Sequence, residues 1–127
     1  MQRKTVLLVL CRKVIADLLI ESIEKHPGMK AFGIYNFNEA RAAAATYNPQ
    51  IVLVEIPESR NEPALEAFDV CKDIKDVNPD CKIVLLCPEK DRESVNLCVK
   101  AKKHGDIEAF LFYEASVDYL VSQLESM

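Results

Sequence analysis

A chain of 127 residues, half of them hydrophobic, is long enough for one folded domain with a substantial core. Its charged fraction of 28% and net charge of −4 describe a mildly acidic surface that favours neither nucleic acid nor an anionic membrane. No apolar run approaches the roughly 18 residues of a membrane-crossing helix. The run at 6–10 is too short for a signal-peptide core, so the chain is expected to be cytoplasmic.

Strand and helix signals alternate from end to end. Residues 5–10 form a continuous apolar run, as suits a strand buried on both faces. A helix is predicted over 12–25, with Val14, Ile15, Leu18, Leu19 and Ile23 as its apolar stripe, and His26-Pro27-Gly28 ends it. A second strand follows at 30–37. Asn38 is the expected cap of an alanine-rich helix at 39–47, whose small side chains allow close approach to a sheet, and Asn48-Pro49 stops it.

The third strand is predicted at 50–56 and leads into a polar loop at 57–63. A helix over 64–77 ends at Asn78-Pro79, and a fourth strand covers 82–87. The next helix spans 91–104 with Val95, Cys98 and Val99 inward, and Gly105 terminates it. The fifth strand is placed at 107–113. The last helix starts near Ser116, with Val117, Leu120, Val121 and Leu124 at i, i+3, i+4 and i+7. Five such units imply an α/β fold with a doubly wound, five-stranded parallel sheet and right-handed crossovers. No repeat, low-complexity tract or linker divides residues 1–127, so one domain is expected, and any output domain would lie beyond Met127.

Candidate chemistry is sparse. The five cysteines (Cys11, Cys71, Cys81, Cys87 and Cys98) are odd in number and form no C-x-x-C, which argues against a disulfide framework, a thioredoxin-like site or a zinc knuckle. His26 and His104 fall near helix ends, where a positive charge suits the dipole. With three glycines and no glycine-rich loop, a nucleotide or flavin site is not indicated, and no cofactor is expected. Cys11, between the first strand and first helix, is the best candidate nucleophile for a cysteine-dependent phosphatase or phosphocarrier. It runs directly into Arg12-Lys13-Val14-Ile15, with no phosphate-cradling loop, and position 17 is Asp, so C-x₅-R is absent.

The first and third strands deliver their ends to one sheet edge, where open α/β folds keep their sites. The order of units, the length and four strings resemble the receiver domain of bacterial two-component response regulators: Thr5-Val6-Leu7-Leu8-Val9, the stretch from Asn48 to Pro57, the stretch from Pro79 to Cys87, and the stretch from Glu108 to Ser116. The resemblance covers almost the whole chain and implies the flavodoxin-like (βα)₅ architecture and a place in phosphorelay signalling. It also implies where the working residues should stand. The family's Mg²⁺-holding acidic pair falls on Leu10 and Cys11, its phosphoacceptor aspartate on Glu55, its Thr or Ser sensor on Cys87, its Lys on Tyr113 and the following Pro on Glu114. The loop after Glu55 is about four residues longer than the family norm.

These exchanges remove the chemistry. Leu10 offers Mg²⁺ no oxygen, and the Cys11 thiol is a soft ligand. Tyr113 cannot supply the Lys cation, and Glu55 is one methylene too long. The expectation is therefore an atypical, degenerate receiver: no enzyme, no metal, no Mg²⁺-dependent aspartyl phosphorylation. Glu55 is either a fixed charge imitating an activated state or a polar residue at an exposed strand end. Function would then run through protein contacts, with a second copy, an output domain or a kinase-related protein, and without direct nucleic-acid or membrane binding. In the receiver family the face of the fourth helix, fifth strand and fifth helix often makes such contacts, which singles out Phe110, Phe112, Tyr113 and Tyr119. The small basic cluster Lys100, Lys102 and Lys103 is read as a solvated face.

Overall fold

Side chains along the central strands alternate between two separate cores, and that alternation sets the architecture. In the computed structural model, which describes residues 4–57 and 63–127, the strands are β1 (Lys4–Val9), β2 (Met29–Ile34), β3 (Ile51–Glu55), β4 (Lys82–Cys87) and β5 (Ala109–Phe112). The helices are α1 (Lys13–Glu24), α2 (Ala40–Tyr47), α3 (Pro63–Val77), α4 (Arg92–Lys103) and α5 (Val117–Ser126). All strand pairs are parallel, in the order β2-β1-β3-β4-β5. Val6, Leu8, Leu53, Val84 and Leu86 meet the buried residues of α1 and α5 on one face. Leu7, Val9, Val52, Val54, Ile83 and Leu85 meet those of α2, α3 and α4 on the other. A sheet covered on both faces needs apolar residues at every position, which is why the strands read as unbroken hydrophobic runs.

The expected doubly wound sheet is present, with local differences. The polar loop expected at 57–63 falls, from 58 to 62, outside the described residues. β2 stops at Ile34, because its pairing with β1 ends at Val9↔Ile34. Phe37 therefore lies in a 3-10 turn (Phe37–Glu39), and the Asn36 side chain caps it by accepting the Asn38 N–H at 2.9 Å. Asn38 is thus the donor rather than the cap. β5 is shorter than expected, although single backbone bonds, Glu108 N–H to Ile83 O and Tyr113 N–H to Cys87 O, continue its ladder at both ends.

Helix faces differ in a similar way. Val14 and Leu18, expected in the α1 stripe, are 73% and 48% exposed. The helix instead buries Ala16, Leu19 and Ile23, flanked by Ile15 and Ile20. Seven apolar residues wrap more of α1 than one face can bury, so periodicity alone could not choose among them. On α4 the buried face is Ser94, Cys98 and Ala101, with Val95 and Leu97 half-buried beside it and Val99 at its margin.

The helix punctuation behaves as the sequence requires. Asn48 ends α2 in the left-handed region (φ 47°), which Asn tolerates better than most side chains, and Gly105 follows α4 at φ 79°. Asp91 caps α4 and Ser116 caps α5, each accepting a backbone N–H three residues on. Ala40, Ala43 and Ala44 let α2 lie close on the sheet.

Asn78 joins two of these helix ends. It is buried after α3, and its Nδ2 donates to the buried Pro49 carbonyl at 2.9 Å, tying α3 to the entry of β3. Replacing Asn78 by Ala leaves that carbonyl without its donor. The expected loss is about 1–3 kcal/mol of stability in urea denaturation. A loss below about 0.5 kcal/mol would mean that the bond holds nothing in place.

Candidate functional site

β1 and β3 are neighbours, and their chains leave the sheet to opposite sides, which opens a crevice at their carboxyl ends. Glu55, the last residue of β3, stands there and is only 1% exposed. It is therefore not the exposed strand-end residue that was one sequence expectation. A carboxylate withdrawn from water needs donors or a cation close by. Oε1 accepts the backbone N–H of Cys11 at 2.8 Å and of Arg12 at 3.3 Å, the two amides that lead into α1. Oε2 accepts the Tyr113 hydroxyl at 2.5 Å.

Arg12 completes the site. Its Nε lies 3.7 Å from Glu55 Oε2, and its guanidinium carbon sits 4.7 Å from the centre of the Tyr113 ring. The side chain is 44% exposed, so it bridges the buried carboxylate to solvent along an aromatic face. The positive end of the α1 dipole adds to the same side of the balance. Three segments far apart in sequence, around residues 11–12, 55 and 113, are thereby held by one side chain.

The other sequence candidates divide. Leu10 is fully buried in the core beneath α1 and α5, and its N–H bonds to Ile34 O at 3.1 Å. Cys11 contributes its amide rather than its sulphur. Its thiol pKa is raised by partial burial first, then by Glu55 and Glu66, against an opposing pull from Arg12. A nucleophilic cysteine needs the reverse shift, so nothing in this environment supports the cysteine-enzyme alternative. Cys87 belongs to the opposite core. Its Sγ donates to Pro88 O at 3.5 Å and receives the Cys98 thiol, which is pushed well up by that bond and by burial. Cys71 is pushed up to about 12 by burial. These are packed thiols.

The aromatic candidates do not form one surface. Phe110 and Phe112 are half-buried against the α2–α4 core, with ring centroids 5.9 Å apart in an edge-on arrangement. Tyr113 is half-buried and committed to Glu55 and Arg12, so it belongs to the site rather than to an open interface. Tyr119 alone of the four is exposed, at 50%.

Arg12 is the residue that sequence reasoning passed over. Its signal was a charge exchange: at this edge the acids and the lysine expected from the resemblance are missing, while a new cation appears three residues after β1. The residues do not fit the Mg²⁺ that receiver domains hold. The Glu55 carboxylate has its oxygens already engaged, and Leu10 and the Cys11 thiol supply no hard ligand. Among the described residues no group of three His, Cys, Asp or Glu side chains could hold a metal ion.

No protein-family model and no curated protein matches the chain. Solved structures do. One described as adenylate cyclase from Rhodopirellula baltica superposes with a TM-score of 0.80 at 13% identity, covering 98% of this chain and 86% of its own. A response regulator from Thermotoga maritima gives 0.78 at 20% identity, covering 99% and 97%. A CheY-like response regulator receiver domain protein from Methanospirillum hungatei gives 0.77 at 15% identity, covering 98% and 93%. The fold is that of receiver domains. At these identities the likeness speaks for fold alone.

The Glu55–Tyr113 bond is testable by a double-mutant cycle. Tyr113→Phe removes only the hydroxyl, and Glu55→Gln removes only the charge. Each is expected to cost about 1–3 kcal/mol in chemical denaturation. The pair should cost less than the sum, by about 1 kcal/mol or more. Strict additivity would show that the contact carries no energy.

Proposed function

We propose that this chain is a receiver-like signalling domain that works through protein contacts, with Glu55 as a permanent structural carboxylate instead of a phosphoacceptor. The observation that carries this reading is the engagement of both Glu55 oxygens by backbone amides, Tyr113 and Arg12. Phosphoryl transfer requires a free carboxylate oxygen in line with the donor and a cation at the transferring group. Here an attacking oxygen would first have to leave its donors, and the nearby cation is already balanced against the carboxylate itself.

Arg12 then does for Glu55 what a divalent ion does for a carboxylate cluster: it offsets the charge, without exchanging with solvent ions. The Tyr113 hydroxyl fixes the end of β5 to the end of β3. The carboxylate is present without any modification and is held at the end of β3 by fixed partners, which supports the reading of Glu55 as a fixed charge that imitates an activated state. The domain would act inside the cell, without catalysis of its own. The contact surface we assign is the α4–β5–α5 face, centred on exposed Tyr119. A second copy of the chain is the first partner to test.

Millimolar Mg²⁺ is expected to leave the melting temperature unchanged, because a metal that binds the native state must stabilise it. Acetyl phosphate should leave the intact mass unchanged. A stable phosphoryl adduct on Glu55 would overturn the proposal.

Sedimentation should find a dimer at micromolar concentration. Tyr119→Glu should weaken it at least tenfold with the fold intact, since a charge in an interface core must be desolvated. A monomer at all concentrations would remove the self-association claim.

A further inference from the structure

A second cavity lies at the opposite edge of the sheet from Glu55, in the groove where the C-terminal halves of α3 and α4 pass the entry to β5. Its volume is about 530 Å³, within the range of about 300–1,000 Å³ typical of small-molecule sites. Small side chains make the room: Cys71 on α3 and Ala101 on α4 line it and do not fill it. Phe68, Leu97 and Ile107 complete an apolar wall.

The rim is cationic. Lys72 and Lys100 line the cavity from its two helices, and both are exposed. Neither pairs with an acid among the described residues. Lys75 is also in the lining, but its ammonium is spent on the carbonyls of Pro79 (3.2 Å) and Cys81 (2.5 Å), so it serves as wall. Asp106 is the one acid in the lining, where His104 also stands. An apolar cavity with two uncommitted ammonium groups at its mouth is complementary to one class of molecule: a small organic carboxylate with an apolar body.

We propose that the α3–α4 cavity binds such an amphipathic carboxylate, its chain or ring against Phe68, Leu97 and Ile107 and its carboxylate between Lys72 and Lys100. Occupancy ties α3 to α4 at the end of the sheet away from Glu55. α4 is part of the face assigned above to protein contacts, so the ligand would bias that face without any chemistry at Glu55. The site stands independently of the Glu55 reading, because none of its residues touches the Glu55 network.

Octanoate is the probe, with 1-octanol as its neutral counterpart and inorganic phosphate as the bare anion. Titration followed by amide NMR should show saturable binding of octanoate with Kd below about 1 mM and shifts confined to the neighbourhood of Leu97, Ala101 and Ile107. Octanol and phosphate should each bind at least tenfold more weakly. Lys72→Glu combined with Lys100→Glu should also weaken octanoate at least tenfold. Both side chains are exposed, and the milder Lys72→Gln, Lys100→Gln pair carries the same expectation in direction. Absence of octanoate binding, equal binding of octanol or phosphate, or indifference to the lysine changes would each overturn the proposal. None of these results would bear on phosphorylation of Glu55, which the acetyl phosphate experiment decides separately.

Discussion

A carboxylate taken out of water must find its compensation in the protein around it, and at Glu55 that requirement ties together otherwise distant parts of the chain. Two amides at the start of α1, a hydroxyl at the end of β5 and a guanidinium from the connection between β1 and α1 converge on one side chain. Charge-assisted hydrogen bonds contribute about 1.5–3 kcal/mol apiece, and leaving such a group unpaired costs more than pairing it contributes. The arrangement is therefore close to all-or-none. Removing one partner exposes the others to an unsatisfied charge, so the edge of the sheet behaves as a unit.

The convergence depends on the sheet. Parallel strands send all their carboxyl ends to one edge, and the order β2-β1-β3-β4-β5 puts β1 and β3 side by side at the switch point. The two apolar cores fix the strand register, since a one-residue slip would exchange the faces of every side chain on the slipped strand. Glu55 is held where it is by the burial of Leu53 and Val54 before it as much as by its own bonds. The same geometry separates Cys87 from Glu55. Cys87 turns to Cys98 beneath α4, while Glu55 turns to α1, and two residues that one family pattern would group in a single pocket serve different cores.

Charge is exchanged across this edge, as well as lost from it. Acids at positions 10 and 11 and a lysine at 113 would form a site that recruits a metal and a phosphoryl group. With leucine, cysteine and tyrosine at those positions and arginine at 12, the Glu55 oxygens are met by backbone amides, a hydroxyl and a guanidinium. The cation has moved from solvent to side chain. Away from this edge, the side chain of Tyr119 on α5 is exposed and a groove with exposed lysines lies between α3 and α4.

The sequence by itself determined the elements and their order. Apolar runs at β1, β3 and β4, the stops at Asn48-Pro49, Asn78-Pro79 and Gly105, and the caps at Asp91 and Ser116 are local signals that local physics obeys. It also fixed which position would carry a lone carboxylate, because strand order and residue type suffice for that. The tertiary structure decided what periodicity leaves degenerate: that α1 buries Ala16 in place of Val14 and Leu18, since seven apolar residues exceed one face, and that β2 ends at Ile34, since its neighbour β1 stops pairing there. It alone decided that Glu55 is buried and that Arg12 and Tyr113 reach it. Those contacts join residues 43 and 58 positions from Glu55, and no local pattern encodes an encounter that exists only once a parallel sheet has brought its strand ends together.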